Sequence, residues 1–401
     1  MKYIILIGDG MADYPLKELG GKTPLMVAKT PFMDHLAKEG KAGIVKTVPE
    51  NMHPGSDVAN LSIFGYNPKE VYTGRAPLEA ASMGITLKSN EWAFRCNLVT
   101  ISNLNSHLIM QDYSSDHISS QEAKELIITI NNFLGSKSIQ FYPGVSYRHL
   151  MVYRGDIDEI FTTPPHDITG KEIDPFLPKG KNGEIFSLLI EKSRKILESH
   201  PVNIRRKKEN KGIANSIWLW GEGKSPKLLP ITKKYHITGG VISAVDLIKG
   251  IGVYAGLKVK NVPGATGFLD TNYKGKVEAA FEILKDMDFV FLHVEAPDEA
   301  GHIGDINAKI KAIEDFDSKI VGPILKKVKM FKDYKILVMP DHPTPISTRT
   351  HASDPVPFVI YSANKSLKSN VDGFNESIKE KSNIFFYDGY RLMDHFILEE
   401  I

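Results

Sequence analysis

Short apolar runs and amphipathic helical patterns alternate along the C-terminal half of the chain. Apolar residues recur at helical spacing over residues 277–284 and again over residues 306–320. Buried strands are predicted over residues 289–294, 335–339 and 357–361. This alternation is typical of a mainly parallel sheet with helices packed on its faces.

The N-terminal segment begins with the same kind of signal. Residues 2–7 form an apolar run that stops at Asp9, which is flanked by two glycines, and this predicts a buried strand. Helices are predicted to begin at Pro31 and near Ser56, the second ending at Gly65. The first and last parts of the chain therefore look like pieces of one core.

The middle of the chain follows a different pattern. Ser119 and Glu122 are spaced as a capping box that opens a helix. Two antiparallel strands are predicted around residues 143–144, and a long helix over residues 184–200, stopped by Pro201. A separate α+β region is therefore expected here.

A chain of 401 residues is too long for one ordinary core. We predict a discontinuous core over residues 1–87 and 215–401, with an inserted smaller α+β domain over residues 88–214. The run Trp218-Leu219-Trp220 is predicted to be the strand that re-enters the core. The expected fold class is α/β.

Composition narrows the function classes. The hydrophobic share is 42% and the charged share 24%, as in ordinary globular proteins. A net charge of +2 argues against a nucleic-acid partner, which usually needs a basic face. The chain has one cysteine, Cys96, and no segment that reads as a signal peptide or a membrane helix, so a cytoplasmic location without membrane contact is expected.

Metal-type ligands follow three separate predicted strands. They are Asp9 after the first, Asp298 and His302 after the second, and Asp341, His342 and His351 after the third. Ligands in open α/β sheets bind beyond the carboxyl ends of the strands, so these six side chains are expected to converge. Crowded carboxylates and imidazoles need cations for neutrality, and this mixed set suits Mn²⁺ or Zn²⁺. Singly, each has a plainer interpretation: Asp9 as a turn residue, and Asp298 with His302 as a surface pair.

The candidate nucleophile is Ser56, which follows Gly55 at a predicted helix start. Glycine allows a ligand to approach the backbone closely, and the first N–H groups of a helix favour a phosphate. The alternative is that Ser56 serves only as a helix N-cap. The chain has no phosphate-binding Walker loop and no dinucleotide fingerprint, which argues against a nucleotide-dependent kinase.

The chain resembles the cofactor-independent phosphoglycerate mutases of the alkaline phosphatase superfamily, and within them the shorter, archaeal-type branch. The resemblance spans essentially the whole chain. Its motifs, in the order seen in the family, are Ile7-Gly8-Asp9-Gly10, Gly55-Ser56-Asp57-Val58-Ala59-Asn60, Thr73-Gly74-Arg75-Ala76-Pro77-Leu78-Glu79, Asp298-Glu299-Ala300-Gly301-His302, Met339-Pro340-Asp341-His342 and Thr350-His351.

The resemblance implies an alkaline-phosphatase-like core with two divalent metals, commonly manganese, with Zn²⁺, Mg²⁺ and Co²⁺ as alternatives. One metal would be held by Asp9, Ser56, Asp341 and His342, and the other by Asp298, His302 and His351. The inserted domain would hold the small-molecule substrate. The substrate-binding candidates are Arg148, His166 and Asp167 in that domain and Arg75 in the core segment before it, each of which has a structural role as its alternative.

The implied reaction interconverts 3-phosphoglycerate and 2-phosphoglycerate, in glycolysis and gluconeogenesis, through a phosphoserine at Ser56 and without 2,3-bisphosphoglycerate. A phosphatase, phosphodiesterase, phosphopentomutase or other phosphotransferase on the same core is the first alternative, because the metals do not fix the phosphate acceptor. A metal-stabilised binding protein and a kinase-like transferase are the others. The sequence leaves the oligomeric state open.

Overall fold

The computed structural model describes residues 1–157, 159–363 and 368–399. The chain divides into two compact units. The first comprises residues 1–72 and 227–401, and the second comprises residues 73–226. The second unit thus extends beyond the 88–214 segment at both ends, and the assignment of substrate binding to that segment stays a prediction.

Strands and helices alternate along the described residues. The strands are β1 Lys2–Gly8, β2 Lys41–Val45, β3 Glu91–Leu104, β4 His107–Asp112, β5 Ile139–Val145, β6 Arg148–Arg154, β7 Ile160–Phe161, β8 Lys179–Gly180, β9 Ser216–Lys224, β10 Gly239–Ile242, β11 Lys258–Val259, β12 Phe289–Val294, β13 Tyr334–Met339, β14 Val356–Ser362 and β15 Phe385–Phe386. The α-helices are α1 Pro24–Val27, α2 Pro31–Glu39, α3 Ser56–Ile63, α4 Pro68–Val71, α5 Arg75–Ser82, α6 Ser120–Leu134, α7 Gly183–Leu197, α8 Pro201–Lys208, α9 Ile231–Lys234, α10 Asp246–Tyr254, α11 Tyr273–Asp286, α12 Ala296–Ile303, α13 Ile306–Phe316, α14 Gly322–Lys327, α15 Ile378–Lys381 and α16 Arg391–Leu398. Short 3-10 turns cover Lys17–Leu19, Pro165–Ile168, Asp174–Phe176 and Val328–Met330, and a π-turn covers Asp317–Val321. Within the part of the chain that the structure describes, no helix has both the length and the apolar character needed to cross a membrane.

The first unit is built on an eight-stranded sheet with the order β11-β10-β12-β1-β13-β14-β2-β15. The strands from β11 to β13 are parallel, whereas β14 runs antiparallel to both of its neighbours. The prediction of a mainly parallel sheet is confirmed. Gly8 pairs with Val294 and Ile7 with Met339, so β12, β1 and β13 end at one edge of the sheet.

Helices cover both faces of this sheet. Ile4 and Leu6 of β1 pack into a buried cluster with residues of α2, α11 and α13. On the other face, Phe64, which follows α3, stacks on Phe291 of β12 with ring centroids 4.2 Å apart. Both faces of the central strands are therefore apolar, which is why their sequences are continuous apolar runs.

The predicted helix starts are confirmed by their caps. Ser119 Oγ accepts the N–H of Glu122 at 3.3 Å, which is the N-cap bond of a capping box, and donates to the Glu122 carboxylate at 2.8 Å. Asp305 Oδ1 accepts the N–H of Ala308 at 2.9 Å at the start of α13. Pro31 is the first residue of α2.

The second unit contains a five-stranded antiparallel sheet in which β3 pairs with β6 and with β9. The prediction that Trp218-Leu219-Trp220 re-enters the core is wrong, since this run lies in β9 and pairs with β3 inside the second unit. An apolar, aromatic run predicts a buried strand but does not specify which sheet it joins.

The long helix predicted over residues 184–200 is partly right. Helix α7 ends at Leu197, and a separate helix, α8, begins at Pro201. His200 caps α8, because its Nδ1 accepts the N–H of Val202 at 3.2 Å. Pro201 therefore stops one helix and occupies the first position of the next, where its missing N–H costs nothing.

Candidate metal centre and nucleophile

Three parallel strands bring the predicted ligands to one edge of the first unit's sheet. Strand β1 lies between β12 and β13. Asp9 directly follows β1, and Asp341 and His342 lie just beyond β13. Asp298 lies in the first turn of α12, which is separated from β12 by Glu295 alone. Side chains far apart in the sequence therefore meet at the strand ends.

The first group comprises Asp9, Ser56, Asp341 and His342. His342 Nε2 lies 3.4 Å from Asp9 Oδ1 and 3.6 Å from Asp341 Oδ2. Ser56 Oγ lies 3.1 Å from His342 Nε2 and 3.5 Å from Asp9 Oδ2. The two carboxylates and the imidazole are buried, and Ser56 is half-buried. The Ser56 hydroxyl thus faces buried ligand atoms of Asp9 and His342.

Helix α3 presents Ser56 as its first residue, and Gly55 occupies the N-cap position. The alternative of Ser56 as the N-cap is therefore wrong, and its hydroxyl instead contacts Asp9 and His342. Asn60, one turn along, donates through Nδ2 to the Ser56 carbonyl and to Asp341 Oδ2, both at 2.8 Å. These bonds tie the position of the serine to the neighbouring carboxylate.

The second group comprises Asp298, His302 and His351. His302 Nε2 lies 3.2 Å from Asp298 Oδ2 and 3.0 Å from His351 Nε2, and His351 Nε2 lies 3.6 Å from Asp298 Oδ1. His302 Nδ1 donates to the carbonyl of Arg349 at 3.0 Å. Thr344 Oγ1 donates to Asp298 Oδ1. Such outer contacts orient the rings and carboxylates of a metal site.

The two groups adjoin through His342. Its ring centroid lies 4.4 Å from that of His351. One ligand atom from each of Asp298, His342 and His351 lies within 4.8 Å of the others. The structure thus gathers all seven predicted ligands, including Ser56, into one region of the first unit.

The electrostatics of this region are unbalanced. Burial raises the pKa of Asp9 well above its ordinary value, and the charges of Asp341, Asp298 and Glu295 raise it further. Burial would also raise the pKa of Asp298, but its bonds to His302 and the other imidazoles hold that pKa well below the ordinary value. Several negative charges therefore compete for few positive partners.

The pKa values of the imidazoles diverge. Burial lowers the pKa of His342, against the pull of the nearby Asp341. The hydrogen bond to Asp298 raises the pKa of His302 to about 9, against the opposing effect of burial. The buried ring of His342 is thus held neutral, the form that ligates metals.

The donor set fits divalent cations. Asp9 Oδ1 is buried and receives no hydrogen bond from any residue that the structure describes. A cation beside Asp9 and Asp341 would remove the repulsion that raises the pKa of Asp9. Carboxylate, hydroxyl and imidazole ligands together suit Mn²⁺, Zn²⁺ and related ions.

Sequence reasoning missed His293, which lies inside β12 and is fully buried. Its Nε2 lies 3.0 Å from Asp9 Oδ2, and Asp9, His293 and Asp341 each place a ligand atom within 4.8 Å of the others. A histidine in an apolar run reads as a core residue. Because side chains alternate along a strand, only the register with β1 identifies the one that faces Asp9.

Gly10 closes the space beside Asp9. Its φ is +59°, and a Cβ at this position would lie 2.5 Å from Asp298 Oδ1 and 2.6 Å from Thr344 Oγ1. Its N–H donates to Asp341 Oδ1 at 3.1 Å. Close packing of the ligands thus requires glycine at this position.

The second unit holds a guanidinium cluster, defined here as Arg75, Arg95 and Arg148. Arg95 lies on β3, with its Cζ 4.0 Å from the ring centroid of Trp220 and its Nε 3.1 Å from Glu79 Oε2. Burial lowers the pKa of Arg95; Glu79 opposes this, while the charges of Arg75 and Arg148 add to it. Like charges held together are typical of an anion site.

His166 and Asp167 adjoin this cluster. The ring of His166 lies 5.4 Å from that of Trp220, and its Nε2 lies 3.6 Å from Asp167 Oδ1. Burial lowers the pKa of His166; Asp167 opposes this, while Arg95 and Arg75 lower it further. The structure therefore groups the four predicted residues of this unit around Arg95, which sequence reasoning missed because an isolated arginine in a strand carries no signal.

Comparisons with known proteins agree in sequence and in fold. A family model described as 2,3-bisphosphoglycerate-independent phosphoglycerate mutase matches residues 37–203. A protein of that name from Methanosarcina barkeri is 58% identical over 96% of both chains. One from Methanothermobacter thermautotrophicus, with the same name and the number 2, is 47% identical over 98% of this chain and 96% of its own.

Two solved structures are similar over nearly the whole chain. The PH0037 protein from Pyrococcus horikoshii has a TM-score of 0.83 at 32% identity and covers 100% of this chain and 98% of its own. The cofactor-independent phosphoglycerate mutase from Thermoplasma acidophilum has a TM-score of 0.64 at 26% identity and covers 98% of both chains. With relatives this similar over this length, the chain belongs to the family of 2,3-bisphosphoglycerate-independent phosphoglycerate mutases.

Proposed function

We propose that this protein interconverts 3-phosphoglycerate and 2-phosphoglycerate through a phosphoserine at Ser56, without 2,3-bisphosphoglycerate. The observation that carries the proposal is the Ser56 hydroxyl, 3.1 Å from His342 Nε2 and 3.5 Å from Asp9 Oδ2 at the start of a helix. A hydroxyl among buried ligand atoms is a nucleophile site that needs no serine–histidine–aspartate triad. Family membership supports the substrate assignment.

Two divalent cations would be held by the two groups of ligands. Asp9, Ser56, Asp341 and His342 would bind one cation, and Asp298, His302 and His351 the other. Mn²⁺ is the first candidate, because mixed carboxylate and imidazole ligands accommodate it well, with Zn²⁺, Mg²⁺ and Co²⁺ as alternatives. When bound, the cations would lower the pKa of the Ser56 hydroxyl and neutralise charge on the phosphoryl oxygens.

The chain's own residues would carry the covalent steps. Ser56 loses its hydroxyl proton as its Oγ forms a bond to phosphorus, the bond from phosphorus to the glycerate oxygen breaks, and that oxygen takes up a proton. The other hydroxyl of the same glycerate then attacks the phosphoserine and releases Ser56. The phosphoryl group is conserved, so neither a second phosphate donor nor water is consumed.

The second unit would hold the glycerate by its carboxylate. The guanidinium cluster supports this, because a guanidinium fork matches the two oxygens of a carboxylate. Arg95 is held by Trp220 and Glu79, so its guanidinium is positioned before any ligand binds. Substrate choice and exclusion of water would then belong to this unit, and phosphoryl transfer to the first.

The proposal assigns the activity to the cytoplasm. The chain has a single cysteine, Cys96, which is buried, so its structure does not depend on an oxidising compartment. A step between two phosphoglycerates belongs to glycolysis and gluconeogenesis.

The test is conversion of 3-phosphoglycerate by dialysed protein, with and without Mn²⁺ and with and without 2,3-bisphosphoglycerate. Substrate labelled in its glycerate carbons is supplied with excess unlabelled glycerate, and both 2-phosphoglycerate and free phosphate are measured. We expect metal-dependent labelled 2-phosphoglycerate without 2,3-bisphosphoglycerate. Free phosphate as the main product would indicate a phosphatase, and failure to form 2-phosphoglycerate while phosphopentoses isomerise would indicate a phosphopentomutase.

A further inference from the structure

His293 lies beside Asp9 in the candidate metal centre and is absent from the two ligand groups described above. It is fully buried at the penultimate position of β12, a strand that lies between β10 and β1. Its Nε2 lies 3.0 Å from Asp9 Oδ2, yet no residue that the structure describes makes a hydrogen bond with that nitrogen. A buried ring nitrogen therefore faces the ligand atoms of Asp9 and Asp341 without a partner.

The other side of the ring is held in place. His293 Nδ1 lies 3.3 Å from Ser243 Oγ, which also accepts the N–H of Val245 at 2.9 Å. Lys276, itself fully buried, donates to the carbonyl of His293 at 2.9 Å. When Nδ1 carries the proton and donates to Ser243, the lone pair of Nε2 points towards Asp9. This is the arrangement in which an outer partner fixes the tautomer of a metal-binding histidine.

We propose that His293 is an additional ligand, through Nε2, of the cation held by Asp9 and Asp341. The inference rests on the proposed function, which supplies the cation. A neutral Nε2 and a carboxylate oxygen 3.0 Å apart, without hydrogen-bond geometry, would repel each other unless a cation lay between them. Asp9 Oδ1, which also has no hydrogen-bond partner among the described residues, lies in the same group of candidate ligand atoms.

This assignment changes the chemistry of the first cation. With His293 it has two imidazole ligands, His293 and His342, beside two carboxylates and Ser56. Nitrogen ligands favour Mn²⁺, Co²⁺ and Zn²⁺ over Mg²⁺, which prefers oxygen ligands and bound water. His293 therefore makes this site selective against Mg²⁺, the most abundant competing divalent ion.

The test replaces His293 with asparagine and measures metal binding directly. His149→Asn is the matched control, since His149 is also buried with an unpartnered Nε2 but lies on β6 of the second unit. Metal-free wild type, His293→Asn and His149→Asn are titrated with Mn²⁺ and with Mg²⁺ by calorimetry. Thermal unfolding of each metal-free protein shows whether the variants fold.

We expect one Mn²⁺ site of His293→Asn to be weakened at least about tenfold, with the affinity for Mg²⁺ changed less. His149→Asn should bind Mn²⁺ as the wild type does. In Ser243→Ala the ring keeps its nitrogen but loses its fixed tautomer, so the same site should weaken by a smaller factor.

A second measurement uses wild-type protein and does not depend on the folding of any variant. Electron spin-echo modulation of Mn²⁺-loaded protein, with ¹⁵N-labelled histidine, counts the imidazoles bound to manganese. Coupling from four histidines, namely His293, His302, His342 and His351, supports the proposal, whereas coupling from three overturns it. Equal Mn²⁺ affinity in His293→Asn and wild type also overturns it, while a wild type that binds no metal defeats the proposed function instead.

Discussion

In the first unit the carboxylates of Asp9, Asp298 and Asp341 crowd around imidazoles at the strand ends. In the second unit, the charges of Arg75 and Arg148 act on Arg95 of β3, whose guanidinium is paired with the carboxylate of Glu79. One region is short of positive charge and the other short of negative charge, although the whole chain carries a net charge of only +2. The first unit thus carries the candidate cation ligands, and the second carries the guanidinium groups proposed to bind the substrate carboxylate.

This contrast explains how one protein can separate chemistry from recognition. Cations bound in the first unit would attract any phosphate monoester, whatever its remaining groups. Selection of glycerate needs a group that recognises a carboxylate, and under the proposed function the guanidinium cluster would be that group. The following changes test that division, starting with the largest expected effect.

Replacing Ser56 with alanine should lower mutase turnover by more than about 1,000-fold, because the variant loses the hydroxyl that contacts both Asp9 and His342. Substrate binding in the second unit should be unaffected, which calorimetry with glycerate can measure. The control is Ser62→Ala on the same helix, whose buried hydroxyl donates to the carbonyl of Thr47. Comparable turnover in wild type and Ser56→Ala would remove Ser56 from the mechanism.

Removing divalent cations with a chelator should abolish activity and destabilise the first unit selectively, because all the candidate ligands lie there. The three tryptophans, Trp92, Trp218 and Trp220, lie in the second unit, so their fluorescence reports on that unit. We expect the unfolding transition seen by circular dichroism to shift more than that seen by fluorescence. Added Mn²⁺ should reverse both effects; an active preparation without metal by elemental analysis would contradict the prediction.

Much of the first region was predictable because its signals are local. An apolar run that ends at Asp9 or at Asp341 predicts a strand with a polar residue at its carboxyl end. A parallel sheet then brings these carboxyl ends together. The helix carrying Ser56 is short and adjacent to glycine, so its start was visible too. Three strand ends of this kind support each other in a way that no single motif does.

The remaining residues depend on tertiary pairing. His293 lies within an apolar strand, and only its register with β1 brings it to Asp9. Arg95 lies against Trp220 because β9 pairs with β3 and places Trp220 opposite it. The same pairing shows that the predicted return of residues 218–220 to the core was wrong. The sequence pattern of a strand does not identify the strand with which it pairs.

Weakening the guanidinium cluster should impair the mutase more than the metal centre. In Arg148→Ala and Arg95→Lys, we expect kcat/KM for 3-phosphoglycerate to fall about 10- to 100-fold, the loss of one or two charge-assisted bonds. Free phosphate should rise as a share of product, because poorly held glycerate leaves the phosphoserine to water. Product ratios and Mn²⁺ stoichiometry are the measurements.

Arg154→Ala is the control for this pair of variants, since Arg154 lies on the same strand as Arg148 but is paired with Glu91 at 2.8 Å. It should retain the wild-type ratio of free phosphate to 2-phosphoglycerate. In His166→Ala the share of free phosphate should also rise, but by less than in Arg148→Ala and Arg95→Lys. If all of these proteins partition phosphate as the wild type does, the cluster is structural and the comparison between the units fails.

The smallest effect compares the buried imidazoles of the two units. His149 Nδ1 accepts the N–H of Gly144 at 2.9 Å, and burial lowers the pKa of His149 to about 3. In the unfolded chain the ordinary pKa is near 6.5. Between these values the unfolded state binds a proton that the folded state excludes, so the stability of the second unit should fall as the pH decreases from 6.5 towards 3.

At pH 5 this contribution amounts to about 2 kcal/mol of unfolding free energy relative to neutral pH. Urea unfolding followed by tryptophan fluorescence at pH 7 and pH 5 measures it in the unit that contains His149. In His149→Asn the difference between the two pH values should shrink by that amount, although the variant is less stable at pH 7. Asp112 and Glu122 in the same unit have lowered pKa values, so the stability that they contribute is lost over a lower pH range. Both residues are present in the wild type and in His149→Asn. If the pH difference is unchanged in His149→Asn, His149 takes up a proton in the folded protein without unfolding it. The pKa of this buried imidazole would then be close to its value in solution.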